Sequence, residues 1–222
     1  MARQSGESSS KTSRQESAIS SLSAPRKVVV DTSMFVNPDA RTSLGTNPTD
    51  ALETFLYLAS QIDTLEFYMP PSTFNELLYF VSKEKIPAKA LHVLHQKPPK
   101  KHELKLPAVM IYEFIEEMRE RVNKGLRIAE KGVRDAEKKK AEEIIPDVRR
   151  KYRDALREGI LDSKEDVDLL LLAVELDAVL VSADQGLIKW AEKLGVQWVF
   201  PERFKDYLQA AVKISSECSS KK

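Results

Sequence analysis

Apolar residues near the start of the folded part of the chain are spaced for alternating strands and helices. The β-branched run Val28–Val30 predicts a buried strand that ends at Asp31. An apolar helix face follows over residues 52–59, then a short strand at 67–69 and a helix from Ser72 to about Val81. A strand followed by a helix, twice over, predicts an α/β fold with a parallel sheet.

The same alternation returns late in the chain. The pattern predicts a helix from Ser163 to about Leu176, a strand at residues 178–181, a helix from about Gly186 to Leu194 and a last strand at residues 197–200. We therefore expect one parallel sheet flanked by helices, completed only after a long helical interruption.

That interruption has an apolar stripe at steps of three and four residues, which predicts a helix about 45 Å long over roughly 30 residues. Gly125 and Gly132 lie two turns apart on it and would let a neighbour approach closely. A break is expected near Pro146, followed by a second helix that Gly159 stops, so the pair should form a protruding helical hairpin. The stripe consists of Ile111, Ile115, Met118, Val122, Leu126, Ala129, Val133 and Ala136.

These patterns divide the chain into four parts. Residues 1–25 are rich in Ser, Gln, Lys and Glu and are expected to be a disordered tail rather than a secretory signal. Residues 26–108 and 159–210 should form the α/β domain, residues 109–158 the hairpin and residues 211–222 a flexible tail. The one cysteine and the absence of a long apolar run lead us to expect a cytoplasmic protein.

Charge is nearly balanced overall, with 35 basic and 34 acidic residues, but it is unevenly distributed. From Arg119 to Arg157 there are 14 Lys or Arg against 8 Asp or Glu. A linear basic strip lies opposite the apolar stripe and could follow a phosphate backbone, although an ordinary solvated helix face fits it equally well. The strip consists of Lys124, Arg127, Lys131, Arg134 and Lys138.

Aspartates stand where a parallel sheet would bring them together. Asp31 ends the first strand, Asp184 follows the strand at residues 178–181, and Asp162 and Asp166 open a helix with both side chains on one face. Converging carboxylates repel unless a cation neutralises them, and oxygen ligands suit magnesium. Asp168 and Glu76 could extend such a metal cluster.

Ordinary structural roles compete with this interpretation. Asp162 begins a capping-box arrangement, Asp184 could cap the helix that follows it, and Asp31 could bond to neighbouring backbone. Glu76 is also compatible with a solvated helix position. Spacing alone therefore leaves the metal site open.

A resemblance to a known family adds to this picture. The strand that ends in Asp31-Thr32-Ser33, the Asp162-x3-Asp166 helix and the run Ser182–Leu187 resemble a PIN domain, a nuclease fold with an acidic metal centre. Residues 112–130 and 151–187 are similar to the HARP family, the homologues of the Aquifex protein-only ribonuclease P. The similarity covers about Lys27 to Tyr207, including the hairpin.

The resemblance implies an RNA-free ribonuclease P that removes the 5′ leader of precursor tRNA by hydrolysis, leaves a 5′-phosphate and requires Mg²⁺ or Mn²⁺. It implies a PIN-like nuclease domain at residues 26–108 and 159–210, and subunits that assemble through the hairpin into dimers and larger complexes. Its implied catalytic and metal-binding residues are Asp31, Asp162, Asp166 and Asp184, with Asp168 and Glu76 as possible additions. The expected RNA contacts are Arg121, Lys124, Arg127, Lys131, Arg149 and Arg150.

Two other functions share part of this evidence. A toxin-like PIN endoribonuclease acting on another RNA would use the same aspartates, but the inserted hairpin counts against it. A non-catalytic scaffold associated with an RNA ligase would keep the fold for assembly, and the intact acidic positions count against that function.

Overall fold

The computed structural model describes residues 26–82, 84, 86, 90–137, 140–157, 161 and 163–219. The predicted tail at residues 1–25 and the candidate ligand Asp162 lie outside the described residues. Among those described, no helix is both long enough and apolar enough to span a membrane.

The described strands form one parallel sheet of five strands in the order β3-β2-β1-β4-β5. The predicted α/β fold with a parallel sheet is therefore confirmed. The strands are β1 (Arg26–Val30), β2 (Leu65–Met69), β3 (Leu94–Gln96), β4 (Val179–Val181) and β5 (Trp198–Val199).

Helices cover both faces of the sheet and form the inserted hairpin. In the described part of the chain they are α1 (Ser33–Val36), α2 (Pro38–Arg41), α3 (Pro48–Ala59), α4 (Pro71–Leu77), α5 (Val109–Asp135), α6 (Ala141–Arg157), α7 (Lys164–Leu176), α8 (Gln185–Lys193) and α9 (Pro201–Ser219). A short 3-10 turn at Ala90–Val93 precedes β3, in a segment that the apolar pattern did not assign.

The central strand β1 shows how the sheet is packed on both faces. Val28 and Val30 point into one core with aromatic residues of α1, α3, β2 and α9, whereas Val29 points into a second core with the leucines of α7 and with Trp190. Because side chains alternate along a strand, a run of three valines serves two cores. This explains why the strand reads as continuously apolar.

The last helix differs from the expectation for the C-terminal end. Residues 211–222 were expected to be a flexible tail, but α9 continues to Ser219, and Ala211 and Ser215 are buried. Phe204 and Leu208 are fully buried one turn apart and attach the helix to the sheet. Their spacing of three and four residues with Ala211 was a helical signal, which the polar composition of the following residues obscured.

The inserted segment forms the predicted hairpin of α5 and α6. The two glycines of α5 face α6: a Cβ on Gly125 would lie 2.5 Å from Cε2 of Tyr152, and one on Gly132 would lie 2.4 Å from Cγ2 of Val148. Only a residue without a side chain lets the two helices approach this closely. The predicted close approach at both glycines is confirmed.

Pro146 does not interrupt the helix, contrary to expectation, but lies inside α6. A proline removes the hydrogen bond to the carbonyl four residues earlier. Here that carbonyl belongs to Glu142, an exposed residue in the first turn, where solvent can satisfy it. The helix therefore starts before the proline, at Ala141.

An ion-pair cluster attaches the base of the hairpin to the α/β domain. Lys193 Nζ, in the last turn of α8, lies 2.9 Å from Glu113 Oε2 and 2.7 Å from Glu117 Oε1 on α5. Arg121 continues the cluster one turn further along, 3.9 Å from Glu117. Beyond Arg121, α5 packs against α6 at Gly125 and Gly132.

Candidate active site

The strand order reverses between β1 and β4, and the residues that follow these two strands are the predicted acidic positions. Asp31 follows β1, and Ser182-Ala183-Asp184 follows β4. The Asp31 N–H donates to the Val181 carbonyl at 3.0 Å, which continues the pairing of the two strands past their ends. This is the position where open parallel sheets bind ligands.

Two serines hold Asp31 in place. Ser182 Oγ donates to Asp31 Oδ2 at 2.7 Å, and Ser33 Oγ donates to the same oxygen. In turn, the Ala183 N–H donates to Ser33 Oγ and the Asp184 N–H donates to Ser182 Oγ, each at 2.9 Å. The carboxylate of Asp31 and the backbone of the Asp184 loop are thus fixed to one another through two hydroxyl groups.

Asp184 also has the structural role that competed with a catalytic one. Its Oδ1 accepts a hydrogen bond from the Leu187 N–H at 2.9 Å, which makes it the N-cap of α8. A cap uses part of one carboxylate, and Asp184 still lines the cleft described next. Capping therefore orients this side chain without removing it from the site.

An open cleft of about 530 Å³ lies at this edge of the sheet and brings the described acidic candidates together. Asp166 reaches it from the first turn of α7, whose N-cap is Ser163, and Glu76 reaches it from α4. The lining residues are Asp31, Thr32, Ser33, Val36, Asn37, Pro38, Glu76, Phe80, Ser163, Asp166 and Asp184.

The electrostatics of the cleft show the cost of grouping carboxylates. Burial raises the pKa of Asp31 above its ordinary value; the negative charge of Asp184 raises it further, against the hydrogen bonds from the two serines. Burial also raises the pKa of Glu76, with additional contributions from the charges of Asp31 and Glu165. Both shifts are what a cation bound among these groups would relieve.

The donor chemistry therefore fits a hard divalent cation, since the polar side chains that line the cleft are carboxylates, hydroxyls and the amide of Asn37. Within the residues that the structure describes, no group of three or more Asp, Glu, His or Cys side chains is arranged to hold a metal ion. Asp162, four residues before Asp166, lies outside that set, so the predicted four-aspartate cluster stays a prediction.

Asp168 does not line the cleft. Its Oδ1 lies 2.6 Å from Lys101 Nζ and its Oδ2 accepts from Ser72 Oγ at 3.0 Å. Residues two apart on a helix point to different sides, so Asp168 and Asp166 do not face the same metal ion. Asp168 is thus a buried carboxylate paired with the half-exposed Lys101, between α7 and the segment after β3, which counts against the expectation that it extends the metal cluster.

The expected RNA contacts differ in exposure. Lys124, Arg127 and Lys131 on α5 are exposed, as are Arg149 and Arg150 on α6. Arg121 is instead only 6% exposed, beside Glu117 at the base of the hairpin. Its burial counts against the expectation that it contacts RNA.

Three residues in or beside the cleft received no role from the sequence. Ser33 and Ser182 were quoted in the motifs, but a hydroxyl beside an aspartate gives no sign of which oxygen it will hold. Phe80 was included in a predicted helix up to Val81, whereas α4 ends at Leu77 and Phe80 lies in the turn that follows, on the wall of the cleft. A strand end rich in hydroxyl groups was the available signal for the serines.

Comparison with known proteins agrees with this geometry. Residues 27–213 match the family model described as PINc domain ribonuclease. The chain is 54% identical to the RNA-free ribonuclease P of Thermodesulfovibrio yellowstonii, over 84% of this chain and 95% of that protein. It is 48% identical to the protein of that name from Pyrococcus horikoshii, over 88% of this chain and 98% of that protein.

The family match includes β1, the cleft and α8, and it also spans the inserted hairpin. The archaeal relative from Thermococcus kodakarensis, with the same name, is 50% identical over 84% of this chain and 96% of its own length. Similarity at this level over nearly the whole length of the relatives shows common ancestry. The chain therefore belongs to the PIN-domain ribonucleases and, among them, to the HARP family of RNA-free ribonuclease P proteins.

Proposed function

We propose that this protein is an endoribonuclease that removes the 5′ leader from precursor tRNA without an RNA subunit. The observation that carries the proposal is the cleft at the strand-order reversal, where carboxylates from β1, α4, α7 and α8 meet in a chain 54% identical to a protein named RNA-free ribonuclease P. The reaction is hydrolysis: water attacks phosphorus, the bond to the 3′ oxygen of the leader breaks, and the 5′-phosphate stays on the tRNA.

The residues that would hold divalent metal are Asp31, Asp166 and Asp184, with Asp162 from the same family motif and Glu76 at the edge of the cleft. A bound Mg²⁺ or Mn²⁺ would stabilise the negative charge around the pentacoordinate phosphorus of the transition state, and it would lower the pKa of the attacking water. PIN-domain nucleases generally use divalent metals, and oxygen donors without histidine or cysteine favour these two ions.

The other groups of the cleft prepare the site. Ser33 and Ser182 hold Asp31 Oδ2 in one orientation, and the cap on α8 does the same for Asp184. Carboxylates fixed in this way need little reorganisation when charge develops in the reaction. The open shape of the cleft admits an extended RNA strand rather than only a mononucleotide.

The hairpin supplies positive charge, which the acidic cleft lacks. Lys124, Arg127 and Lys131 follow one another at steps of three and four on an exposed face of α5. Such a row can contact successive phosphates of a folded RNA, and each contact adds to the salt dependence of binding. We propose that this face binds the body of the tRNA while the cleft holds the cleavage site.

The other exposed face of α5 supports self-association. The apolar stripe is not covered by α6, because the two helices meet through the glycine face instead. The exposed fractions of its large residues run from 39% at Met118 to 74% at Val133. A row of this kind along a helix of 27 residues is suited to a second copy of the same helix, so we propose that the protein forms dimers, and larger assemblies, through α5.

The proposal is tested by single-turnover cleavage of a 5′-labelled precursor tRNA with Mg²⁺, with and without a chelator. Asp184→Asn is the informative variant, because asparagine can still cap α8 while the negative charge is lost. Asp206→Asn, at an exposed position of α9, is the matched control. We expect one cut at the mature 5′ end that requires metal, survives in the control and is lost in Asp184→Asn.

Two results would count against the proposal. Cleavage that persists in Asp184→Asn would remove Asp184 from the site. Cleavage of unrelated RNAs at scattered positions, with no preference for the tRNA 5′ end, would indicate a PIN endoribonuclease of another specificity.

A further inference from the structure

The cleft is lined by side chains of different chemistry. Besides the carboxylates described above, the lining includes Val36, Pro38 and Phe80, which we call the apolar wall. An apolar wall contributes nothing to holding a cation or a phosphate. It can contact only an uncharged part of the substrate.

Phe80 is held in this wall by a well-anchored turn. Its neighbours Leu77 and Val81 are 0% and 7% exposed, while Phe80 itself is 49% exposed. The Phe80 N–H donates to the Leu77 carbonyl at 3.0 Å, and the Ser82 N–H donates to Thr49 Oγ1 at 3.0 Å. The backbone is thus fixed on both sides of a phenyl ring that lies open to the cleft.

A nucleotide at the cleavage site would bring three kinds of surface into this cleft. Its phosphate belongs with the carboxylates and the cation bound there, and its ribose is polar. The nucleobase has flat π faces, which stack on exposed aromatic side chains regardless of base identity. Val36, Pro38 and Phe80 line the same cleft as Asp31 and Asp184.

We propose that Phe80, supported by Val36 and Pro38, stacks on the nucleobase of a nucleotide adjoining the scissile phosphate and so positions that phosphate against the carboxylates. The proposal rests on the proposed function, because it assumes that an RNA strand is cut in this cleft. Phe80 is a positioning residue that contacts a base and takes no part in bond making.

The test is a cycle of changes in protein and RNA. Single-turnover kcat/KM is measured for the wild type and for Phe80→Ala, each on an intact precursor tRNA and on versions with an abasic residue immediately 5′ or 3′ of the scissile bond. Phe80→Tyr keeps a ring at the position. Tyr79→Ala, at a residue 87% exposed that does not line the cleft, is the matched control.

We expect the abasic residue at one of the two positions to lower wild-type kcat/KM by about 5- to 100-fold, the range for one base stacked on one aromatic ring. Phe80→Ala should lower it by a similar factor on the intact RNA, and should lose nothing further on that abasic RNA. Phe80→Tyr should restore the sensitivity to the missing base, and Tyr79→Ala should behave as the wild type.

Additive losses at both abasic positions, or full activity in Phe80→Ala, would overturn the proposal. Failure of the wild type to cut the intact RNA would instead refute the proposed function. A loss in Phe80→Ala caused by poor folding would appear as a lowered melting temperature and would be the same on all three RNAs.

Discussion

Asp31 is held in a position that is unfavourable for the fold and suited to the site. It is 6% exposed, and both serines bonded to it lie at the ends of the two central strands. Because burial raises the pKa of Asp31 in the folded protein, the folded state binds the proton of this carboxyl group more tightly than the unfolded chain does. The stability that the protonated carboxyl contributes is present below the unfolded pKa and is lost as the pH rises through the folded pKa, so the ionised form of Asp31 opposes folding.

Asp31→Asn should therefore separate activity from stability. We expect cleavage to fall on the order of 1,000-fold, the loss of about 4 kcal/mol of transition-state stabilisation. In the presence of a chelator at pH 7, the melting temperature should be equal to or above that of the wild type, because a buried charge has been removed. The advantage of the variant should shrink as the pH falls through the raised pKa of Asp31, because the wild-type carboxyl then becomes protonated.

Thermal unfolding followed by circular dichroism, at several pH values, measures the second effect. A variant that melts well below the wild type at pH 7 would show that the carboxylate of Asp31 stabilises the fold, contrary to the electrostatic account.

Ser182→Ala tests the hydrogen bonds that orient Asp31. The hydroxyl is fully buried, donates to Asp31 and accepts from the Asp184 N–H, so its loss should leave both aspartates less well placed. We expect activity or metal affinity to fall by about 10- to 100-fold, as is usual for groups that orient metal ligands. A titration of activity against Mg²⁺ concentration measures this, with the exposed Ser60→Ala as control, and an unchanged titration would contradict it.

The sequence predicted residues of this site only where the position along a strand or helix determined the direction of the side chain. Asp31 and Asp184 were found because parallel strands end at the same edge. The contacts of Asp168 with Lys101 and of Arg121 with Glu117 could not be predicted, because composition and motif do not reveal which helix face meets another element. Phe80 could not be found, since its exposure depends on where α4 ends.

At the scale of elements, α5 packs on α6 through its two glycines rather than through its apolar stripe. The spacing correctly predicted a long helix, but the apolar stripe on α5 is not the face that packs on α6. The sequence of one chain could not show whether that stripe is buried, because the stripe does not pack on α6. The glycines gave a more direct signal, and both of them contact the facing helix.

Gly132→Ala should test the packing of α5 on α6. Alanine normally stabilises a helix by about 1 kcal/mol relative to glycine, but here the new Cβ would lie 2.4 Å from Cγ2 of Val148, and overpacking typically costs about 1 to 3 kcal/mol. We expect a net loss of up to about 2 kcal/mol in the free energy of unfolding. In a Val148→Ala background, where the space is free, the same substitution should instead stabilise.

Chemical denaturation of the four proteins of this cycle measures the coupling. Equal effects of Gly132→Ala in both backgrounds would show that the helices can separate without cost at this point.

At the scale of the whole molecule, α5 presents three faces. The glycine face meets α6, the basic face is available to RNA and the apolar stripe is available to a second copy of the chain. The ion pairs of Lys193 with Glu113 and Glu117 attach the base of this helix to α8, whose first turn begins beside the cleft at Asp184. The hairpin is therefore attached to the same helix that Asp184 caps.

Charge placed on the apolar stripe should prevent self-association. Val122 and Leu126 are 57% and 55% exposed, so replacing both with glutamate should leave the fold intact while opposing contact between two such stripes. We expect the double variant to sediment as a monomer of about 25.1 kDa, whereas the wild type should have a multiple of that mass. Lys124 lies between these two residues in the sequence but on the basic face of α5, so Lys124→Glu should keep the wild-type mass.

A wild-type protein that is monomeric at micromolar concentration would contradict this assignment of the stripe. An assembly that survives the two glutamates would place the interface on another surface.

The most direct test of the account is to determine both new RNA ends after the protein has cut a precursor tRNA. Metal-dependent hydrolysis in this cleft predicts a mature tRNA whose first nucleotide carries a 5′-phosphate, and a leader with a 3′-hydroxyl. A 5′-hydroxyl with a cyclic phosphate on the leader would mean that the ribose hydroxyl, not water, attacks the phosphorus. That result, or a cut away from the mature 5′ end, would contradict the central claim.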